Sequence, residues 1–189
     1  VYPSLFDPEI PDIDLAVIAV PAKNVPQVVR DVGKKGVKFA IIFTSGFIEA
    51  GRVELQAELD AAINEVKDTT RFIGPNCLGV NNPYSKIHYY PGMVTIPGNV
   101  SYISQSGGMT ARLSVWLSSI GVGMRHVVSI GNSVDLTPTD FIDYFIKDEK
   151  THVIAFYLES IKNGRRFIEK ASKATLLKPI ILFKGGQSK

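Results

Sequence analysis

The apolar positions of this chain fall into two alternating patterns, short unbroken runs and stripes at helical spacing. Leu15 to Val20, LAVIAV, is a continuous run ended by Pro21, which predicts a strand buried on both faces. From Asn24 to Lys35, Val25, Val28, Val29 and Val32 recur at helical spacing. Pro26 is tolerable in the first turn of that helix, and Gly36 ends it. Val37 to Phe43 is a second buried-type run, followed by the turn TSGF and a helix from about Arg52 to Val66. Leu55, Leu59, Ile63 and Val66 form its apolar stripe. Arg71 to Val80, RFIGPNCLGV, predicts the last strand of this unit and its exit turn. Strand and helix in such short alternation predict a parallel sheet with right-handed crossovers.

Turn formers and tyrosines fill Asn81 to Asn99, a connection and not a layer. A domain boundary is therefore expected near Pro97, giving domains 1–96 and 97–189. The alternation then restarts. Strands are expected at Val100–Ser104, Arg125–Ile130, Val153–Leu158 and Pro179–Phe183. Between them lie helices at Gly107–Ile120, Pro138–Lys147 and Arg165–Ala174. This is a second α/β layer of doubly wound type, and no internal repeat or low-complexity tract accompanies it.

Composition adds limits. The 189 residues suit one large or two small domains, and 45% hydrophobic with 21% charged residues is ordinary globular composition. Net charge is +3, with Lys and Arg scattered, so no basic footprint for nucleic acid is expected. Small anions need only a few charges and helix ends, and they stay open as ligands. The single cysteine excludes an internal disulfide framework and fits a reducing compartment. With no signal peptide and no bilayer-spanning apolar run, a cytoplasmic protein without membrane contact is expected. The opening VYPSLFDPEI lacks an initiator Met and leads at once into a strand, as in a chain met in mid-domain.

In open parallel sheets, ligands lie beyond the carboxyl ends of the strands. The exit turns here are VPAKN, FTSG, GPNCLG, SQSGG, SIGNSVD, YLES and FKGGQS. A helix opening at Gly107 has free first-turn N–H groups and a positive dipole end aimed at the strand ends. Ser104 and Ser106 add hydroxyls, and Gly107 and Gly108 allow close approach of an oxyanion. The same residues are equally read as a helix cap, with Ser106 as N-cap. Glu159 either serves a ligand or histidine, or pairs with Lys162, Arg165 or Arg166. Asn132 and Asp135 read equally as turn residues. Cys77 reads as a small buried hydrophobe more readily than as a nucleophile, with no histidine placed beside it. His88, His126 and His152 lack metal-ligand spacing, and His126 and His152 fall at strand starts, away from the exit turns. No metal site is expected.

Taken in order, IAVPAKNV, IIFTSGF, IGPNCLGV, YISQSGGM, SIGNSVD, YLES with NGRRF, and KPIILFKGGQS resemble the ADP-forming (NDP-forming) acyl-CoA synthetases, relatives of the succinyl-CoA synthetase α subunit. The resemblance runs from about Asp14 to the end of the chain. It implies the later part of a Rossmann-type CoA-binding domain followed by a flavodoxin-like ligase domain. By this resemblance the nucleotide end of CoA lies against Val20, Pro21 and Ala22 and against Phe43, Thr44, Ser45 and Gly46. The thiol end points towards Pro75, Asn76 and Cys77. Ser104, Ser106, Gly107 and Gly108 hold phosphate, and Glu159 hydrogen-bonds a phosphorylated histidine. Ala111, Asn132 and Asp135 are expected at the acyl pocket. Ala111 replaces an acyl-site tyrosine of the succinyl enzymes, which points to an acid other than succinate, small and monocarboxylic.

The implied reaction uses CoA, ATP or ADP, phosphate and magnesium, with a carboxylic acid as the small-molecule substrate. The implied partner is an ATP-grasp nucleotide-binding domain or β subunit, in a homo- or hetero-oligomer. The Gly-rich first βαβ and the phosphorylated histidine of the family do not occur in the sequence, so an internal fragment is expected, inactive alone. The alternatives are a non-catalytic CoA-sensing module fused to an acetyltransferase and, more distantly, a flavodoxin-type FMN binder.

Overall fold

The structure, a computed structural model, describes residues 2–91, 93 and 95–186. The chain forms two compact units: the residues up to Cys77 with Val134–Leu136, and Leu78–Ser133 with Thr137–Lys189.

In the first unit, β1 (Leu15–Ile18), β2 (Phe39–Ile42) and β3 (Arg71–Ile73) make a parallel sheet in sequence order. Helix α1 (Val25–Lys34) and helix α2 (Val53–Val66) are the crossovers. Their Val25, Val29, Val32, Leu59, Ala62 and Ile63 pack with Ile18, Ala40, Ile42 and Phe72 in one core. The period-2 alternation of a strand puts Val17 and Phe39 on the opposite face. There they stand 43% and 54% exposed. The strand LAVIAV is therefore not buried on both faces: α1 and α2 cover one, and on the other Val17 and Phe39 stay open although Ile41 is buried.

The second unit holds β4 (Gly79–Asn81), β5 (Pro97–Ser104), β6 (Met124–Ser129), β7 (Val153–Leu158) and β8 (Ile180–Lys184) in the order β4-β6-β5-β7-β8. Strands β5 to β8 are parallel, joined through α3 (Gly107–Ser119), α4 (Pro138–Lys147) and α5 (Gly164–Ala174). Met93, Tyr102, Met124 and Val127 pack with Leu113 and Leu117 of α3. Helix α4 starts where the Asp140 carboxylate accepts the Thr137 N–H at 2.9 Å, a side chain satisfying a donor the helix leaves free.

Strand β4 departs from the all-parallel expectation. It runs antiparallel to β6, with Gly79 opposite Ser129 and Asn81 opposite Val127. The stretch read as the first unit's exit turn thus supplies a strand to the second sheet. A three-residue strand with no apolar run carries no pattern to read. It is held by specific bonds instead: the buried Asn81 donates from Nδ2 to Met93 O at 2.6 Å and accepts from Thr95 Oγ1 at 3.0 Å. The packing boundary consequently falls between Cys77 and Leu78, earlier in the chain than Pro97.

Candidate functional site

The three exit turns of the first sheet are tied together by backbone bonds and one hydroxyl. Phe43 N–H donates to Ile18 O at 2.9 Å, continuing the β1–β2 ladder. Thr44 Oγ1 donates to Val20 O at 2.7 Å, and Asn76 N–H to Thr44 O at 2.9 Å. Cys77 is buried, with Sγ 3.4 Å from Ile42 O, which fits packing and not attack. Gly74 has φ +106°, and a Cβ there would lie 2.4 Å from Ile42 O; only glycine lets the β3 exit approach β2 so closely. The Gly74–Pro75 peptide is cis. Pro21, Ser45 and Asn76 are exposed along this edge, and Val20, Ala22, Phe43, Thr44 and Gly46 half-buried. The structure therefore brings together, within one unit, every residue expected to meet CoA.

Two details were not legible in the sequence. The Glu49 carboxylate accepts the N–H groups of Gly46 at 2.6 Å and Phe47 at 3.3 Å. The turn is thus an anion nest filled by its own side chain. The Arg52 guanidinium lies 3.7 Å from where a Gly46 side chain would begin, a cation beside the turn.

In the second unit, Ser106 is the N-cap of α3, and its Oγ accepts the Met109 N–H at 3.3 Å. Ser104 is fully buried; its hydroxyl donates to Ser106 O at 2.8 Å and accepts the Ser106 N–H at 3.1 Å. Both serines therefore shape the turn. Ser104 is removed from direct anion contact, and the Ser106 N–H is already bonded. The N–H groups of Gly107 and Gly108 have no intrahelical acceptor at these first helical positions. Gly108 is exposed, so the positive end of the helix opens to solvent through these two donors.

Glu159 follows β7 and is exposed, not buried as a strand-end carboxylate. The salt bridges considered for it do not form: Lys162 Nζ donates to Ser133 O at 2.7 Å, and Arg166 pairs with Asp140 at 2.8 Å. Gln105, which sequence reasoning passed over, accepts the Glu159 N–H at 2.6 Å through Oε1. The residue preceding the α3 cap thus touches the backbone of Glu159.

Asp135 is engaged within the first unit. Its carboxylate accepts from Arg71 Nε at 3.0 Å, from Arg71 Nη2 at 2.9 Å and from the Phe72 N–H at 2.7 Å. It belongs to the first unit as a structural anchor of β3, whereas Ala111 and Asn132 belong to the second. Ala111 is half-buried on α3, and its carbonyl accepts from Ser114 Oγ at 3.2 Å.

The histidines lie at the opposite, strand-start end of the second sheet. Asn82 Nδ2 approaches His126 Nδ1 at 3.2 Å, and His126 Nε2 lies 3.1 Å from Asp148 Oδ2. An amide NH2 only donates, so Nδ1 accepts and Nε2 carries the proton. Burial holds the His126 pKa below the usual imidazole value against the pull of Asp148. Asp148 in turn is held far below the carboxylate range, first by the Arg125 hydrogen bond at 2.8 Å. His152 bonds Asn99 at 3.1 Å, and His88 is exposed.

Two family models match nearly the whole chain. Residues 1–83 match a CoA binding domain, and residues 97–189 match a succinyl-CoA ligase like flavodoxin domain. Along nearly its whole length the chain is similar to ADP-forming acyl-CoA synthetases. The α subunit of acetate–CoA ligase [ADP-forming] I from Pyrococcus furiosus is 41% identical over 190 residues, covering 100% of this chain and 41% of the relative. The 4-hydroxybutyrate–CoA ligase [ADP-forming] of Nitrosopumilus maritimus is 34% identical, covering 99% and 27%. Among solved structures, the dinucleotide forming acetyl-coenzyme A synthetase 1 of Ca. Korarchaeum cryptofilum, in complex with phosphate and ADP, matches with a TM-score of 0.88 and 40% identity, covering 99% of this chain and 40% of that one. The chain thus spans between 27% and 41% of the length of these relatives. The two α/β stretches of this chain thus match a CoA binding domain and a flavodoxin-like ligase domain, in that order. Among the described residues, no helix is long and apolar enough to cross a membrane.

Proposed function

We propose that the chain is the CoA-binding and phosphate-handling part of a longer cytoplasmic enzyme that interconverts carboxylic acid, CoA and ATP with acyl-CoA, ADP and phosphate. The observation that carries this reading is the α3 N-terminus, where Gly107 and Gly108 present two donors behind a serine-shaped cap. Two amides and a helix dipole stabilise a bound phosphoryl group. Oxyanion charge that grows during transfer is stabilised in the same way. Glu159, with its carboxylate free of ion pairs among the described residues, orients the histidine that passes the phosphoryl group between the acyl phosphate and ADP. In the first unit, the exposed edge of Pro21, Ser45 and Asn76 takes CoA, with Arg52 supplying a positive charge for its phosphates.

ATP and magnesium are supplied through an ATP-grasp domain or partner subunit, in line with relatives whose own names make them α subunits. The acid is small and monocarboxylic, in line with Ala111 standing where the succinyl enzymes carry a tyrosine. The test uses the full-length protein with its nucleotide-binding part. Incubation with γ-labelled ATP and magnesium should leave acid-labile, base-stable label on protein, discharged by acid plus CoA with formation of acyl-CoA. Absence of both label and acyl-CoA, across acetate and larger monocarboxylic acids, would refute the reading.

A further inference from the structure

Gln105 and Lys184 both bond the backbone of Glu159 at the exits of β5, β7 and β8, and the proposed reaction uses neither. The Gln105 N–H donates to Tyr157 O at 3.1 Å, carrying the β5–β7 ladder one residue past Ser104. Its side-chain oxygen then accepts two amides, Glu159 N–H at 2.6 Å and Ser160 N–H at 2.9 Å. From the β8 side, Lys184 Nζ donates to Glu159 O at 2.8 Å and to Gly185 O at 2.6 Å. The backbone of Glu159 is held at both its N–H and its carbonyl. Its carboxylate, in contrast, forms no hydrogen bond or ion pair among the described residues. Backbone groups this exposed are satisfied by water at little cost. Ordering a Gln and a Lys side chain to hold them forfeits rotamer entropy, so stability is a poor reason for the clamp. Orientation of the one side chain left over is a better one.

We infer that Gln105 and Lys184 are positioning residues that fix Glu159 beside the α3 anion turn, an inference that rests on the proposed role of Glu159 in phosphoryl transfer. Gln105 is the mechanical link, since it is contiguous with the Ser106 cap at one end and bonded to Glu159 at the other. Lys184 sets the opposite side of the same loop and ties it to the glycines leaving β8.

The test is a double-mutant cycle on phosphoenzyme formation, followed by rapid quench in the full-length enzyme. Gln105→Ala and Lys184→Met should each slow the step about 10- to 100-fold, the scale expected from a displacement of about 1 Å, with CoA affinity unchanged. In a Glu159→Gln background, the same substitutions should slow it by less than about threefold, because they act through a carboxylate no longer there. A merely structural role would give equal factors in both backgrounds. Full wild-type rates in both single variants, or undiminished factors beside Glu159→Gln, overturn the inference. If Gln105→Ala fails to fold, Lys184→Met, at an exposed side chain, decides alone. A Glu159→Gln enzyme with the wild-type rate overturns the Glu159 reading itself, and the inference with it.

Discussion

Gly74 offers the sharpest test of how the first unit is assembled around its exit turns. In Gly74→Ala the new Cβ would lie 2.4 Å from Ile42 O and 3.1 Å from Cys77 Sγ. The first neighbour is backbone and cannot rotate away. Positive φ for a non-glycine residue costs about 1–2 kcal/mol. Forcing a carbon into a filled space adds about 1–3 kcal/mol. The sum, about 2–5 kcal/mol, is a large part of the stability of a small domain. Gly36→Ala is the matched control: φ is +81° and nothing lies within 4 Å, so only the conformational cost applies. Local stability is read from hydrogen exchange of the β2 and β3 amides. The excess of about 1–3 kcal/mol in Gly74→Ala should speed their exchange about 5- to 160-fold beyond Gly36→Ala. Equal exchange in the two variants would show that the close approach of β3 to β2 at Gly74 is not what holds the turn.

Asp148→Asn should lower the stability of the second unit by about 2–4 kcal/mol near pH 7, measured by urea unfolding, because the Arg125 charge loses its partner. The pH profile follows in sign. His126 and Asp148 both have folded pKa values below their ordinary 6.5 and 3.8, so the unfolded chain binds more protons. Their stabilisation is complete above those values and is lost as pH falls through 6.5 and then 3.8 towards the folded ones, and Asp148→Asn should flatten the more acid part. Asp135→Asn should weaken the first unit by about 1–3 kcal/mol while leaving the preference among acids in the full-length enzyme unchanged, as a change in that preference would restore Asp135 to the acyl pocket.

Most elements were legible because their patterns are local. The apolar runs and helical stripes placed α4 at Pro138–Lys147 and β7 at Val153–Leu158 without error. Strand β4 was illegible for a physical reason: GVN is held by Asn81 side-chain bonds and by pairing with β6, distant in sequence. The exposure of Val17 was hidden similarly, since a run of apolar residues says nothing of how many layers cover it. At the site, glycines and serines before α3 announced a helix N-terminus. What the sequence could not show was which donors remain once Ser104 and Ser106 bond each other. Gln105 gave no signal either, because a glutamine beside a cap reads as surface until its partner Glu159, across the sheet, is known. Asp135 looked like chemistry in GN-x-x-D and turned out to be committed to Arg71, a partner 64 residues away.

The central claim is that the α3 N-terminus holds the phosphoryl group during turnover. Gly107→Asp tests it most directly. A Cβ at Gly107 would meet the Leu78 side chain first, at 3.3 Å, so the fold should tolerate the change with a small adjustment of that side chain. The carboxylate would stand where the phosphate is expected and oppose its negative charge. In the full-length enzyme with labelled ATP, the account predicts phosphoenzyme formation slowed by about 100-fold or more, on the scale of losing an oxyanion donor, with CoA binding intact. Phosphoenzyme formed at the wild-type rate would contradict it.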